Sequence, residues 1–241
     1  MFGNKQTKKV KAALKQIRQY EKKGHYIDYS LAAECAQEAG LTYEADELYM
    51  KSIEKAEKAG DFGFAAWQAV HAGLTERAKV LFAKTSEQEE DKGNFKDAAW
   101  HANESGLTER AIDLYEKAGC FNDAADLAKE IGETSRAIRL YEKGEDFARA
   151  AYCAQEAGLT NIANELFAKA SSEAEKEGKF GNAIDYARFA GLKEKVHDIS
   201  VRASEQAEKN GNLKDAIYYA KEAGLRDRVR ALKAHLDYLE K

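Results

Sequence analysis

The sequence predicts an all-α protein: a right-handed α-solenoid of about seven helical hairpins with an N-terminal capping helix. Three observations predict it. The 241 residues contain no proline, and 33% are charged beside 44% hydrophobic. That mixture is rich in Ala, Glu, Lys and Leu, the residues of high helix propensity. Single glycines recur along the chain in two alternating series, and the apolar residues between them keep helical spacing.

The first glycine series is Gly40, Gly73, Gly106, Gly132, Gly158, Gly191 and Gly224, at spacings of 33, 33, 26, 26, 33 and 33. The second, Gly24, Gly60, Gly93, Gly119, Gly144, Gly178 and Gly211, interleaves with it, and together they take 14 of the 17 glycines. A glycine leaves a helix through the left-handed region without a Cβ penalty, so each is read as a helix stop.

In chain order the first element is a helix over about residues 5–23. Val10, Ala13, Leu14 and Ile17 share one stripe, while Lys8, Lys9, Lys11, Lys15, Arg18 and Lys22 cover much of the rest. Two roles fit. Stacked repeats need a terminal element with a polar outer face. A basic amphipathic helix also suits RNA or an anionic membrane, with Lys8, Lys11, Lys15 and Arg18 as anion-binding candidates.

Two helix types then alternate. The A type follows the second glycine series. Tyr29, Phe62, Phe95, Phe121, Phe147, Phe180 and Leu213 stand eleven positions before its closing glycine. Alanine stands eight before it (Ala32 to Ala216) and four before it (Ala36 to Ala220) in every copy. These offsets project onto one helix face, and a face of alanine permits close helix approach. The B type commonly opens with Gly-Leu-Thr, so Thr42, Thr75, Thr108, Thr134 and Thr160 are expected N-caps. Its core face carries Leu48, Leu81, Leu114, Leu140, Leu166, Ile199 and Leu232, with an aromatic next to it at Tyr49, Phe82, Tyr115, Tyr141 and Phe167. Thin A helices against bulky B helices fill a core layer.

The outer B segments, such as Gly40 to Gly60, are longer than the two central ones, Gly106 to Gly119 and Gly132 to Gly144. The difference is close to one heptad. A heptad turns a helix to within about 20° of two full turns, so the longer helices keep the same buried face. The organisation expected is a basic capping helix over 1–24, repeats over 25–224 and a C-terminal capping helix over 225–241, in one continuous domain. That last helix would pack through Val229, Leu232, Leu236 and Leu239, with Arg226, Arg228 and Arg230 in solvent.

Other classes find little support. No run approaches the roughly 18 apolar residues of a membrane span, and the basic N-terminus lacks the apolar core of a secretory signal. Cys35, Cys120 and Cys153 lie far apart, as expected in a reducing, cytoplasmic setting. Residues 1–23 carry eight basic residues and one acid, while residues 24–224 carry a net −13. An acidic body argues against a nucleic-acid groove. No phosphate loop, nucleophile elbow or zinc-protease motif occurs, and the five histidines are scattered. Neither catalysis, a cofactor nor a metal site is expected.

The position six before the closing glycine of the A helices points away from the alanine face. It holds Glu34, Trp67, Trp100, Asp126, Tyr152, Asp185 and Tyr218, so both tryptophans of the protein fall one repeat apart on one surface. They either cover neighbouring helices or form a binding patch, since aromatic anchors dominate binding hot spots. For the patch, the candidate partner-binding residues are Trp67, Trp100, Tyr152 and Tyr218, with His71 and Glu104 one turn beyond the tryptophans. The acidic rim favours a protein or peptide with basic and apolar side chains.

GLTERAIDLYEKAG resembles the second helix of a tetratricopeptide repeat through Gly106, Ala111, Ile112, Tyr115 and Ala118, with Phe95, Ala98, Ala99 and Ala102 at first-helix positions. The resemblance covers roughly residues 25–224. The repeat departs from it in having two lengths, both shorter than the family's, and in lacking the closing proline. GCFNDAADLAKEIG also matches the second-helix pattern, which leaves the register open, and the hairpin solenoids of vesicle-coat and ciliary-transport proteins are similar too. The resemblance implies a non-catalytic protein-interaction scaffold.

Overall fold

The computed structural model describes residues 2–240, with side chains from Lys8 onward. Among the described residues there are fifteen helices and no strand. They form two compact units, 1–120 and 121–241.

The first unit holds α1 (Phe2–Lys23), α2 (Tyr26–Glu38), α3 (Thr42–Lys58), α4 (Phe62–His71), α5 (Thr75–Asp91), α6 (Phe95–Glu104) and α7 (Thr108–Lys117). The second holds α8 (Phe121–Glu130), α9 (Thr134–Lys143), α10 (Phe147–Glu156), α11 (Thr160–Lys176), α12 (Phe180–Phe189), α13 (Lys193–Lys209), α14 (Leu213–Glu222) and α15 (Arg226–Leu239). From α2 on, even-numbered helices are the A type and odd-numbered the B type. Within each unit every helix packs on the next in sequence, as consecutive helical hairpins. The B helices α3, α5, α11 and α13 have 17 residues against 10 in α7 and α9. The seven-residue increment adds about 10 Å of helix.

The interior follows the size alternation. Every alanine of the two A-helix positions, from Ala32 and Ala36 to Ala216 and Ala220, is fully buried. Leu48, Leu81, Leu114, Leu140, Leu166, Ile199 and Leu232 are buried on the B helices. In α1, Ala13 and Ile17 are buried, and Leu14 and Tyr20 pack on the Ala32–Ala36–Leu48 cluster. The apolar stripe thus closes the first hairpin, and Lys9 Nζ donates to the Glu38 carbonyl at the end of α2 (2.8 Å). In α15, Val229, Leu232 and Leu236 join the core of α14, but Leu239 is exposed at the helix end, outside the expected stripe.

The turns correct one expectation. Gly73 (φ +70°) follows α4, and its N–H donates to the Val70 carbonyl (3.0 Å) while that of Leu74 reaches the Ala69 carbonyl (2.8 Å). This is a Schellman motif. The Leu74 carbonyl then accepts from Ala78 (2.9 Å), so one leucine ends a helix and begins the next. Leu41, Leu107 and Leu159 do the same, and Glu133 stands in their place before α9. Thr42, Thr75, Thr108, Thr134 and Thr160 are therefore first helical residues, not N-caps. The connection is too short to spare a capping threonine. True side-chain caps lie at A helices instead: Asp61, Asp146 and Asn212 accept from the backbone of Phe64, Arg149 and Asp215.

Gly144 is the second correction. It is a C-cap with φ −82°, and Glu145 takes the left-handed position (φ +57°). Counted from Gly132 to Glu145, the segment is as long as that from Gly106 to Gly119. The apparent irregularity comes from a glycine displaced by one position. A Cβ there would lie 2.6 Å from Asn122 Oδ1 and 3.3 Å from the Phe121 Cβ, a close approach that glycine relieves.

Polar links recur at fixed offsets. Ser86, Ser171 and Ser204, fully buried in long B helices, donate to the carbonyls of Ala98, Ala183 and Ala216 on the following A helix (2.8 Å each). Consecutive B helices are joined by Arg77–Glu57 (3.1 Å), Arg110–Glu90 (2.8 Å) and Arg228–Glu208 (2.6 Å). Arg228 is thus bonded within the fold, not left in solvent. Lys84, Lys117, Lys143 and Lys169 sit 5.1–5.8 Å over the rings of Phe62, Phe95, Phe121 and Phe147, each lysine at the same distance along the chain from its ring.

Candidate interaction surface

The A-helix face opposite the alanines is the surface that carries the candidate residues. In the first unit, Trp67 of α4 and Trp100 of α6 are stacked, their ring centroids 5.8 Å apart and their planes inclined by 24°. Phe82 of α5, 2% exposed, meets both edge-on at 5.7 and 5.9 Å. It stands between the two A helices because the B-helix position after the core leucine projects there. Trp67 keeps 45% of its surface exposed and Trp100 37%. Each indole therefore covers its neighbours with one side and meets solvent with the other. The covering of neighbouring helices weighed from the sequence is thus seen, and part of each ring is left in solvent.

His71 is exposed one turn beyond Trp67 and lies parallel to Tyr49 at 6.4 Å. Glu104 is exposed one turn beyond Trp100. His101, at an offset flanking the alanine face where the sequence suggests buried packing and not a metal site, stacks on Phe82 (5.8 Å) and meets Trp100 edge-on (4.9 Å). Its Nδ1 is buried without a hydrogen-bond partner, and burial pushes its basicity below the ordinary histidine value against the pull of Glu89, Asp97 and Glu104. Cys35, Gln68 and Cys153 share that offset in their own A helices. Gln68 and Cys153 there are buried.

Tyr152 and Tyr218 lie in the second unit. Tyr152 sits edge-on against Phe167 of α11 (5.1 Å) and Phe189 (6.2 Å), and Phe167 also stacks on Tyr186 (6.2 Å). This cluster repeats the Trp67–Phe82–His101 plan in the second unit. Tyr218 meets Tyr219 edge-on (5.2 Å) and is 57% exposed. Asp126, the α8 counterpart of the tryptophans, accepts from the Tyr141 hydroxyl and is held by Arg149 at 3.0 and 3.2 Å. Burial and that carboxylate raise the Tyr141 phenol far above its usual range. Arg149 also lies 5.0 Å over the Tyr141 ring and bonds Asp146 at 2.6 Å.

On α1, Lys8, Lys11, Lys15 and Arg18 are exposed. Lys11, Lys15, Arg18 and Lys22 line a shallow depression with Leu14 and Gln19. Among the described residues no three His, Cys, Asp or Glu side chains are grouped to hold a metal ion, and no helix is long and apolar enough to cross a membrane.

The chain is a helical repeat protein, built of consecutive packed hairpins that present a partly exposed aromatic surface. No family model and no curated protein sequence matches it. Among solved structures it is similar to BtubC (BKLC) from P. vanneervenii, at 12% identity over 96% of this chain and 92% of that one, with a TM-score of 0.24. The de novo designed helical repeat protein DHR64 is 26% identical over 96% of this chain and 97% of its own, TM-score 0.13. A circular tandem repeat protein with novel repeat topology is 18% identical over 95% and 71%, TM-score 0.16.

Proposed function

We propose that the protein is a non-catalytic scaffold that holds a partner protein or peptide on its A-helix surface, without cofactor or metal. One observation carries this reading: two stacked tryptophans, the only two in the chain, keep a large part of their indole surface in solvent while a buried phenylalanine fixes them from behind. Rigid, half-exposed aromatic side chains bind at low entropic cost. Tyr152 and Tyr218 offer smaller anchors of the same type, and His71 and Glu104 border the tryptophans. The tetratricopeptide resemblance of the hairpins supports a protein-binding role, and three free thiols fit a cytoplasmic one.

The test is selection of a displayed random-peptide library on the wild-type protein, with counter-selection on a Trp67→Ala/Trp100→Ala variant of unchanged helicity. Enriched peptides should bind the wild type and lose about tenfold or more in affinity on the variant, as hot-spot truncations do. Peptides that bind both proteins equally would remove the surface from consideration.

A further inference from the structure

The two units treat the carboxylates of their A helices differently. In the second unit, cations of the A helices themselves pair with Asp126, Glu156, Asp185 and Glu222, while among the described residues Asp123 and Glu130 stay outside any ion pair. Lys129 reaches Glu156 on the next A helix (2.6 Å), Arg149 reaches back to Asp126 (3.0 Å), and Arg188 bonds Asp185 (2.9 Å) and Glu222 (2.7 Å). These cations stand three or nine positions before the closing glycine of their helices. In the first unit those positions hold Gln37, Val70 and Asn103, and Leu31, Phe64 and Asp97. Not one is a cation, and Lys96 is the only lysine or arginine in α2, α4 and α6.

The carboxylates remain. Glu34, Glu38, Asp97 and Glu104 are exposed, and among the described residues none of the four is in an ion pair. Asp97 and Glu104 flank Trp100 at one turn on either side of the same helix face. Glu34 occupies the position of Trp67 one A helix earlier. Their field is felt by neighbours: Glu38 and Glu34 add to burial in pushing the Cys35 thiol up.

The second unit also shows which cation completes such a surface. Arg149 lies over an aromatic ring while it forks to carboxylates on two sides. A planar guanidinium can stack and hydrogen-bond at once, where an ammonium serves as a point charge. We infer that the first unit's A-helix surface takes an arginine-bearing segment of a partner protein, its guanidinium groups laid on Trp67 and Trp100 and bonded to Asp97, Glu104 and Glu34. This rests on the scaffold reading and names the chemistry of what the scaffold holds.

The experiment uses the full chain and four labelled peptides of one length and one apolar frame, carrying arginine, lysine, citrulline or glutamate at the same positions. Binding is read by fluorescence anisotropy of the peptide. The arginine peptide should bind about tenfold or more tighter than the citrulline peptide, the lysine peptide should fall between, and the glutamate peptide should not bind. Glu34→Gln/Asp97→Asn/Glu104→Gln should weaken the arginine peptide about tenfold. Glu165→Gln/Glu194→Gln/Glu205→Gln, which removes the same charge from exposed sites of the second unit, should change it less than about twofold.

Equal binding of arginine and citrulline peptides, still lost in Trp67→Ala/Trp100→Ala, overturns the arginine assignment and leaves the scaffold reading intact. Binding of the arginine peptide that ignores the tryptophans overturns both. Equal losses in the two carboxylate triples, or no binding at about 1 mM peptide, also overturn the inference.

Discussion

The Phe82 ring, 2% exposed, stands edge-on to both Trp67 and Trp100 and so fixes the spacing of the two indoles from behind. Edge-on aromatic pairs add about 0.5–1.5 kcal/mol to area burial, and a smaller side chain leaves a gap. Phe82→Leu should therefore cost roughly 1–2 kcal/mol in denaturant unfolding. It should also shift tryptophan emission to the red, since both reporters rest on this ring. Phe167→Leu, at the equivalent position under Tyr152, should cost a similar amount and leave the emission unchanged. An unaltered spectrum in Phe82→Leu would show that the indoles hold their places without it.

Glu145 carries a positive φ that thirteen glycines satisfy elsewhere in the chain. A side chain in the left-handed region costs about 1–2 kcal/mol, partly offset by the extra freedom glycine has when unfolded. Glu145→Gly should stabilise the protein by about 0.5–1 kcal/mol. Gly119→Ala, at the equivalent left-handed position after α7 (φ +72°), should destabilise it by about 1 kcal/mol. Thermal unfolding of the two variants measures both signs, and a destabilised Glu145→Gly would mean that Glu145 makes contacts worth more than its strain.

Features that repeat in every copy were legible in the sequence. The alanine face, the core leucines and the heptad lengthening of α3, α5, α11 and α13 follow from periodicity, because burial selects the same residue type at the same angle each time. The threonine caps misled because residue preference describes an isolated helix end. Here Leu74 and its counterparts already end the previous helix and leave no room for a separate cap. Links between helices were written in the sequence at recurring offsets, as in Ser86–Ala98, Glu57–Arg77 and Phe62–Lys84. Such offsets acquire meaning only when the stacking of hairpins is known. The Trp67–Trp100 neighbourhood could be read from a shared helical position. The contrast between paired and unpaired carboxylates could not, because it depends on whether Lys129, Arg149 and Arg188 reach across to a neighbouring A helix.

The buried serines lead to a graded expectation. Ser86 and Ser171 each donate one hydrogen bond to an alanine carbonyl, whereas Ser204 also accepts from Arg228 Nε at 3.0 Å. A typical intramolecular hydrogen bond contributes about 1 kcal/mol, and more when a charged donor is involved. Ser86→Ala and Ser171→Ala should each cost about 1 kcal/mol, and Ser204→Ala about half as much again, because it also loosens the Arg228–Glu208 pair. Denaturant midpoints of the three variants give the order directly. Equal losses would mean that the arginine contact adds nothing.

His101 makes the aromatic cluster sensitive to acid. Its folded-state basicity lies below the reference value of 6.5, first through burial, with Glu89, Asp97 and Glu104 opposing. Between 6.5 and the lowered folded value the unfolded chain binds a proton that the folded chain does not. Linkage then makes stability fall as pH drops through that window, with no further loss from this group once the folded form is protonated. The Glu89 and Glu90 carboxyls are lowered from 4.5 by hydrogen bonds from Lys92 and Asn94 and from Arg110 and Lys117, so their contribution is lost only at lower pH. His101→Phe keeps a ring against Phe82 and Trp100 and removes the proton site. Its denaturant midpoint should be nearly flat from neutral pH down to the carboxylate range, where the wild type declines. Parallel profiles for the two proteins would assign the acid sensitivity to groups other than His101.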